Sequence, residues 1–468
     1  MIAARAFADR DYAVFGLARS GRATVAALLA GGARVMAWDE NEAAREALKS
    51  SLSRSDGEGD QPKAGGGASS AESPSTALRA VPLPTSFARG EDRLRIADPL
   101  VTALRGFAGI VVSPGVPLNR HPIAARGREA GVPVIGDIEL FAEARAELPP
   151  HKVVGITGTN GKSTTTALIH HILKTAGVPA ALGGNIGLPI LAQDPLPEGG
   201  VYVLELSSFQ IDLTRTLDCD VSVLLNLSPD HLDRYDGMED YAAAKARLFA
   251  MQSPGHAAVI ATEDDYTRAI AGQVEGRRIL VSSAQVKDQS QWPALQGPHN
   301  AQNVAAAVAA ARELGVDDAA IARGLATYPG LPHRMERVAE RGGVLFVNDS
   351  KATNPTSTAP ALAAFPAVRW ILGGLAKSDD LDACAPYFDR VRAAYTIGEA
   401  GPMFARLLRG RVGGVEECGT LDAAVRRAAG AAEAGETVLL SPACASFDQF
   451  RDYEARGAAF RAAVESLG

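Results

Sequence analysis

The stretch 153-VVGITGTNGKSTTTALIHHIL-173 limits the possible folds more than any other part of the chain. Its first residues form a short apolar run, the pattern of a strand buried on both faces. Glycines stand at 158 and 161, a lysine follows at 162, and Leu168, Ile169, Ile172 and Leu173 then recur at helical spacing. This reads as strand, glycine turn and helix. Gly158 and Gly161 let the backbone curl so that successive N–H groups face a polyphosphate, and the helix N-terminus adds a favourable dipole. Lys162 can supply charge to the β- and γ-phosphates, and the Ser163 hydroxyl can ligate Mg²⁺. The common G-x-x-x-x-G-K-[ST] loop is not met, because Ile156 stands where its first glycine belongs. What is present is the shorter G-T-N-G-K-S-T: Gly158, Thr159, Asn160, Gly161, Lys162, Ser163 and Thr164. An ordinary glycine turn with a solvated lysine is the plain alternative, and the flanking strand and helix disfavour it.

Around this unit the chain alternates strands with helices, which implies parallel sheets covered by helices. The segment 12-YAVFGLARSGRATVAALLAGGARVMAWDE-40 reads as strand, glycine turn, helix and strand. Further strands are expected at 109-GIVV, 201-VYVLEL, 221-VSVLL, 344-VLFVN, 369-RWILGG, 394-AYTIGE and 437-TVLLS. Pro149-Pro150 and the 329-PG-330 turn mark boundaries, giving three α/β domains at 1–147, 148–330 and 331–468. Between about Ser50 and Pro84 the composition turns to Ser, Gly, Pro and scattered charge. Such a segment cannot bury enough apolar surface to offset its ordering entropy, so a disordered insertion is expected there.

The bulk properties exclude several classes. A formal charge of −7 and a pI near 5.7 argue against general nucleic-acid binding. Four scattered cysteines, with no C-x-x-C pair, suit neither a disulfide framework nor a zinc site. No apolar run reaches the roughly 18 residues that a membrane helix needs. A cytoplasmic protein without membrane partners, and a monomer, is expected.

The N-terminal turn, Gly16-Leu17-Ala18-Arg19-Ser20-Gly21, resembles a dinucleotide fingerprint with alanine at its middle glycine. Asp39 closes the next strand, where an acid usually meets a ribose. An NAD-dependent oxidoreductase would use such a turn but leaves the second glycine loop, Glu205 and the third domain unexplained. A non-catalytic binding protein is a third, weaker reading.

Ten motifs in order carry a resemblance that spans all three domains. They are GTNGKST (158–164), GGNIG (183–187), ELSSFQ (205–210), NLSPDHLDRY (226–235), YAAAK (241–245), HNAQN (299–303), PHRME (332–336), NDSKATNP (348–355), GGLAKSDD (373–380) and SPACASFDQF (441–450). Together they resemble the Mur ligases, ATP-dependent amide-forming enzymes of peptidoglycan synthesis. The resemblance implies an α/β fold with a Rossmann-like N-terminal domain, a central P-loop ATPase-type parallel sheet and a Rossmann-like C-terminal domain. It also implies ATP, two Mg²⁺ ions and an acyl-phosphate route. The implied substrates are UDP-N-acetylmuramoyl-L-alanine and D-glutamate, since NDSKATNP with SPACASFDQF points to D-glutamate addition.

The residues divide among these tasks. Glu205 ends a strand, where carboxylates of nucleotide sites commonly sit, and is assigned to Mg²⁺ with Ser163. A capping or salt-bridged glutamate is its plain alternative. His231 suits a second Mg²⁺ by resemblance alone, since imidazole is not the usual ligand of a hard cation. Lys245 lies four residues after Tyr241 on one helix face, and the resemblance implies that it is carbamylated and shares that second ion. Asn300 and Asn303, three apart at a helix start, can face one site, placed near adenine by resemblance; capping is the alternative for Asn300. The resemblance assigns Arg334 to the γ-phosphate, Asp349 to the ribose and Lys351 to the nucleotide cleft. Thr353, beside Lys351, is placed with Lys377, Ser446 and Tyr453 as D-glutamate residues. Arg19, Ser20 and Asp39 are expected to hold the UDP part, with Ser113 and Asn185 at the pyrophosphate and sugar.

Overall fold

The computed structural model describes residues 1–53 and 93–467. The expected insertion therefore lies almost wholly outside the described residues. Its start is corrected, because a helix spans Glu42–Ser53 and so runs past Ser50.

Apolar runs make the first sheet. Its strands are β1 (Asp11–Phe15), β2 (Arg34–Trp38), β3 (Leu94–Ile96), β4 (Gly109–Val112) and β5 (Val134–Ile135). Their order is β3-β2-β1-β4-β5, and every pair is parallel. Tyr12–Phe15 are all buried, as a strand covered on both faces must be. The strand order reverses between β1 and β4, and the turn 16–21 leaves β1 at that point. Clefts form beyond the carboxyl ends of strands at such a reversal.

The second sheet holds β6 (His151–Thr157), β7 (Ala180–Gly184), β8 (Gly200–Glu205), β9 (Val221–Leu224), β10 (Ala257–Ala261) and β11 (Arg277–Val281). Its order is β11-β10-β9-β6-β8-β7. The β6 strand lies between β8 and β9, with Ile156 opposite Glu205 and Thr157 opposite Leu224. This register brings the ends of three strands, and the loops that leave them, to one place.

The third sheet holds β12 (Glu336–Arg341), β13 (Val344–Asn348), β14 (Val368–Gly373), β15 (Val391–Ile397), β16 (Val415–Gly419) and β17 (Thr437–Leu440), in the order β12-β13-β17-β14-β15-β16. Five of these strands are parallel, whereas β12 pairs antiparallel with β13 at the edge. Apolar clusters cover both of its faces, one around Trp370, Phe388 and Phe404, the other around Tyr395, Val425 and Phe460.

The chain separates into two compact units. One comprises 1–162, 177–259 and 264–279; the other comprises 163–176, 260–263 and 280–468. In the first unit one apolar cluster runs from Val14 and Val25 through Phe141 to Tyr202 and Leu248. Among the described residues no helix is long and apolar enough to cross a membrane.

Candidate active site

The loop after β6 turns where only glycine fits easily. Gly158 has φ +142°, and a Cβ there would meet Leu225 Cβ at 3.0 Å and the Asn226 backbone at 3.2 Å. The helix Lys162–Thr175 follows, as expected. One expectation needs correcting: not all of the loop N–H groups face outward to phosphate. Thr159 N–H donates to Asn226 O at 2.7 Å, and Asn160 N–H to Asn226 Oδ1 at 2.9 Å. The Thr159 hydroxyl is tied to Ser228 and, at 3.2 Å, to Tyr241 OH. These bonds fix the loop's shape. Lys162 Nζ reaches back across the loop to the carbonyls of Gly158 and Thr159, at 2.9 and 2.8 Å.

Glu205 is 2 % exposed at the end of β8. Its Oε1 accepts from Asn185 Nδ2 at 2.9 Å, while Oε2 is buried without a hydrogen-bond partner. The capping and salt-bridge alternatives find no support here. A buried carboxylate oxygen left unpaired is costly, and a cation is the partner that suits it. Asn185 was expected at the substrate's pyrophosphate and sugar. Its side-chain amide lies against Glu205.

Lys245 is 1 % exposed on the helix Met238–Ala250. The expected shared face with Tyr241 is present, with Nζ 4.6 Å from that ring's centroid. Nζ also lies 3.4 Å from Thr157 Oγ1. Burial, and then the neighbouring Lys162 cation, push its pKa well down, against the pull of Asp230, Asp212 and Glu205. The neutral amine is therefore favoured.

His231 is half-exposed, with φ +55°. Its ring packs on Phe209 at 4.9 Å, and Nε2 lies 3.4 Å from Asp230 Oδ2. Burial lowers its pKa and Asp230 opposes this; Lys162 and Lys245 lower it further. Among the described residues no three His, Cys, Asp or Glu side chains gather as a ready metal site. The four residues assigned to metal therefore depend on a hydroxyl and on Lys245.

In the second unit, Arg334 Nη2 donates to Ser163 Oγ at 2.9 Å, so these two assigned residues meet. Asn300 does not cap its helix. Gly297 is the N-cap residue, and Asn300 Nδ2 bonds back to Gln296 O while Asn303 Nδ2 donates to Asn300 Oδ1 at 3.1 Å. The two asparagines do share one face. Asp349 is more enclosed than a ribose contact suggests: Oδ2 accepts from Ser441 Oγ and Oδ1 from Met335 N–H. Burial pushes its carboxyl up to about 7. Lys351 Nζ sits 3.8 Å from the Tyr453 ring centroid, and Lys377 Nζ lies 3.5 Å from Thr353 Oγ1. Ser446 is buried at 2 % exposure in the loop after β17.

At the first sheet, Ser113 Oγ donates to Gly16 O at 3.3 Å. A Cβ on Gly21 would fall 1.8 Å from that carbonyl, so the turn admits only glycine there. Arg19 is exposed and Ser20 half-buried, both in the first turn of the helix Arg19–Ala30. Asp39 spends its carboxylate on the turn, accepting from Leu17 N–H at 2.5 Å and Asn41 N–H at 2.8 Å. Asp39 thus shapes the turn.

Sequence reasoning passed over Asn226, Asp230 and His299. Asn226 and Asp230 lie inside the NLSPDHLDRY motif, but nothing in their spacing marks them. His299 Nδ1 is buried without a partner, and burial pushes its imidazole down to about 4.

A glycine loop held at the end of β6, with a buried carboxylate at the neighbouring end of β8, is the geometry on which the comparison with known proteins bears. The chain belongs to the Mur ligase family: residues 156–294 match the Mur ligase middle domain, and residues 333–444 the Mur ligase, glutamate ligase domain. Relatives from Novosphingobium aromaticivorans and Sphingopyxis alaskensis are each 59% identical. They align over all of this chain and over 97% and 100% of their own lengths, and both are named UDP-N-acetylmuramoylalanine--D-glutamate ligase. A 54% identical relative from Zymomonas mobilis has the same name. The fold is shared with UDP-N-acetylmuramate-alanine ligase MurC from Thermotoga maritima (TM-score 0.56, 15% identity, 98% of this chain and 100% of that one). It is shared too with a MurF ligase from Thermotoga maritima solved in complex with ADP (TM-score 0.55, 17% identity, 80% and 100% covered).

Proposed function

We propose that this chain joins D-glutamate to UDP-N-acetylmuramoyl-L-alanine at the expense of ATP, giving ADP and phosphate, as a step in cytoplasmic peptidoglycan precursor synthesis. The observation that carries the reading is the near-full-length identity to relatives of that name, joined to a site whose residues suit each chemical demand. Residues 1–147 bind the UDP substrate, 148–330 bind ATP, and 331–468 bind D-glutamate. The protein acts as a monomer.

A carboxylate cannot be attacked usefully by an amine in water, because oxide is a poor leaving group. A substrate carboxylate oxygen first attacks the γ-phosphorus, the P–O bond to ADP breaks, and an acyl phosphate forms. The amine of D-glutamate then attacks the acyl carbon, phosphate leaves with the electron pair, and the amine's protons pass to solvent. Lys162 and the loop 158–164 hold the phosphates in place, with Arg334 bonded to the loop's Ser163. Asn300 and Asn303 face adenine, and Asp349 and Lys351 border the nucleotide. Lys377, Thr353, Ser446 and Tyr453 receive the dicarboxylate, for which a cation and hydroxyls are natural partners. Catalysis of this kind is mostly placement and charge stabilisation.

Glu205 and Ser163 would hold one Mg²⁺, and the unpaired Oε2 of Glu205 fits it. His231 and Lys245 would hold a second, for which an ammonium group is unsuitable. The buried, neutral amine of Lys245 can attack CO₂, forming an N–C bond and releasing a proton, to leave a carbamate with two hard oxygens. When bound, the ions neutralise charge between anionic reactants.

The acyl-phosphate route has a direct test. With ¹⁸O in the carboxylate of the muramoyl-L-alanine substrate, one labelled oxygen should appear in the released phosphate by mass spectrometry. Unlabelled phosphate would rule the route out.

A further inference from the structure

Asp137 takes no part in the chemistry above, yet it is the most conspicuous buried acid of the first sheet. It opens the helix Asp137–Ala144 and is 5 % exposed. Its Oδ1 is buried with no hydrogen-bond partner. With Ser20, Thr24 and Ser113 it lines a small cavity of about 10 Å³ under the glycine turn. That volume suits one water molecule, and three hydroxyls and a carboxyl oxygen supply the polar partners it requires. Asp137 is the one titratable side chain among the lining residues. Burial pushes its carboxyl up to about 6. Ser20 and Ser113 are the very groups assigned above to the UDP substrate.

We propose that Asp137 is a positioning residue for the nucleotide-substrate turn: through one buried water it fixes the hydroxyls of Ser20 and Ser113, and it takes up a proton when the substrate's diphosphate binds. The inference rests on the proposed UDP-substrate role of this turn. An anionic diphosphate arriving at the turn raises the cost of an ionised carboxylate beneath it. The neutral acid escapes that cost and can donate to the water. Because the complex then binds more protons than the free protein, affinity falls as pH rises through about 6 and levels off above the carboxyl's higher pKa in the complex.

Titration calorimetry of the full chain with UDP-N-acetylmuramoyl-L-alanine, at pH 5.5 and 8 in two buffers of different ionisation enthalpy, tests this. The substrate's own carboxyl and diphosphate are already ionised at pH 5.5. Wild type should bind about fivefold more tightly at pH 5.5 and take up part of a proton. Asp137→Asn, neutral and able to hold the water, should lose that preference for low pH and that proton uptake relative to wild type. Asp137→Ala should bind more weakly than Asp137→Asn at both. Other titrating groups are common to all three proteins and cancel in the comparison. If Asp137→Asn shows the same pH dependence and proton count as wild type, the proposal fails. Should the alanine variant not fold, the asparagine comparison decides alone. Wild type that binds none of this substrate at either pH would instead overturn the functional reading, and this inference with it.

Discussion

Lys245 shows how far one residue's surroundings alter its chemistry. A lysine on an ordinary helix face is a solvated cation, but here the amine is enclosed beside Lys162, Thr157 and Tyr241. Burial first, and the Lys162 cation second, push the amine's pKa well below that of an ordinary lysine. If Lys245 holds the second ion as proposed, Lys245→Ala should lose turnover on the order of a hundredfold or more, because that ligand disappears. Acetate at tens of millimolar, roughly the range in which a small anion fills a vacated charge site, should restore part of it. Steady-state phosphate release measures both, and an alanine variant with normal activity and no additive would remove the carbamate from the account. The sequence could mark Lys245 only by resemblance, since part of its enclosure comes from Thr157 on β6 and from Lys162, far away in the chain. Asn185 and Asp39 were legible as polar groups near the site, but the bonds each makes within it were not. Both spend their side chains on another site residue, a matter of register that spacing does not reveal.

At the scale of elements, the sheet ends decide the site. The β6, β8 and β9 strands leave their carboxyl ends together, so the phosphate loop, Glu205 and Asn226 converge without any of them being near in sequence. Asn226 latches the loop by two side-chain bonds to Asn160, one donated at 3.1 Å and one accepted at 2.9 Å. Each such bond contributes about 1 kcal/mol net. Asn226→Ala should leave the fold intact but loosen the loop, raising KM for ATP by about five- to tenfold with a smaller change in KM for the UDP substrate. An unchanged KM for ATP would show that the loop holds its shape without the latch.

The strands that sequence revealed are those buried on both faces, such as β1, β6 and β17, which read as unbroken apolar runs. Those it hid are mostly short or at edges; β10 is the exception, buried throughout and inside its sheet, but its sequence AAVIA is largely small alanines that give a weak strand signal. The β5 strand has two residues, and β12 reads ERVAER, a charged alternation with no apolar run. Its antiparallel pairing interrupts the expectation of parallel strands throughout. Burial patterning finds covered strands and is blind to half-exposed ones.

Over the whole molecule, three sheets correspond to the three blocks of alternating strands and helices read from the chain. That much was legible because each block carries its own apolar strands and its own glycine turn or loop. What three covered sheets alone leave open is which amino acid enters, since the fold is shared with a ligase named for alanine. On the proposed reading the choice falls to a few side chains after β13, β14 and β17: Thr353, Lys377, Ser446 and Tyr453. A cation paired with hydroxyls selects a short dicarboxylate over a diamine, and the handedness of the pocket selects one enantiomer. The most direct measurement is therefore phosphate release with ATP, Mg²⁺ and UDP-N-acetylmuramoyl-L-alanine, supplied in turn with D-glutamate, L-glutamate, L-lysine and meso-diaminopimelate, alongside L-alanine with UDP-N-acetylmuramate. Release with D-glutamate alone is the predicted result; release driven better by any of the others would contradict the assignment.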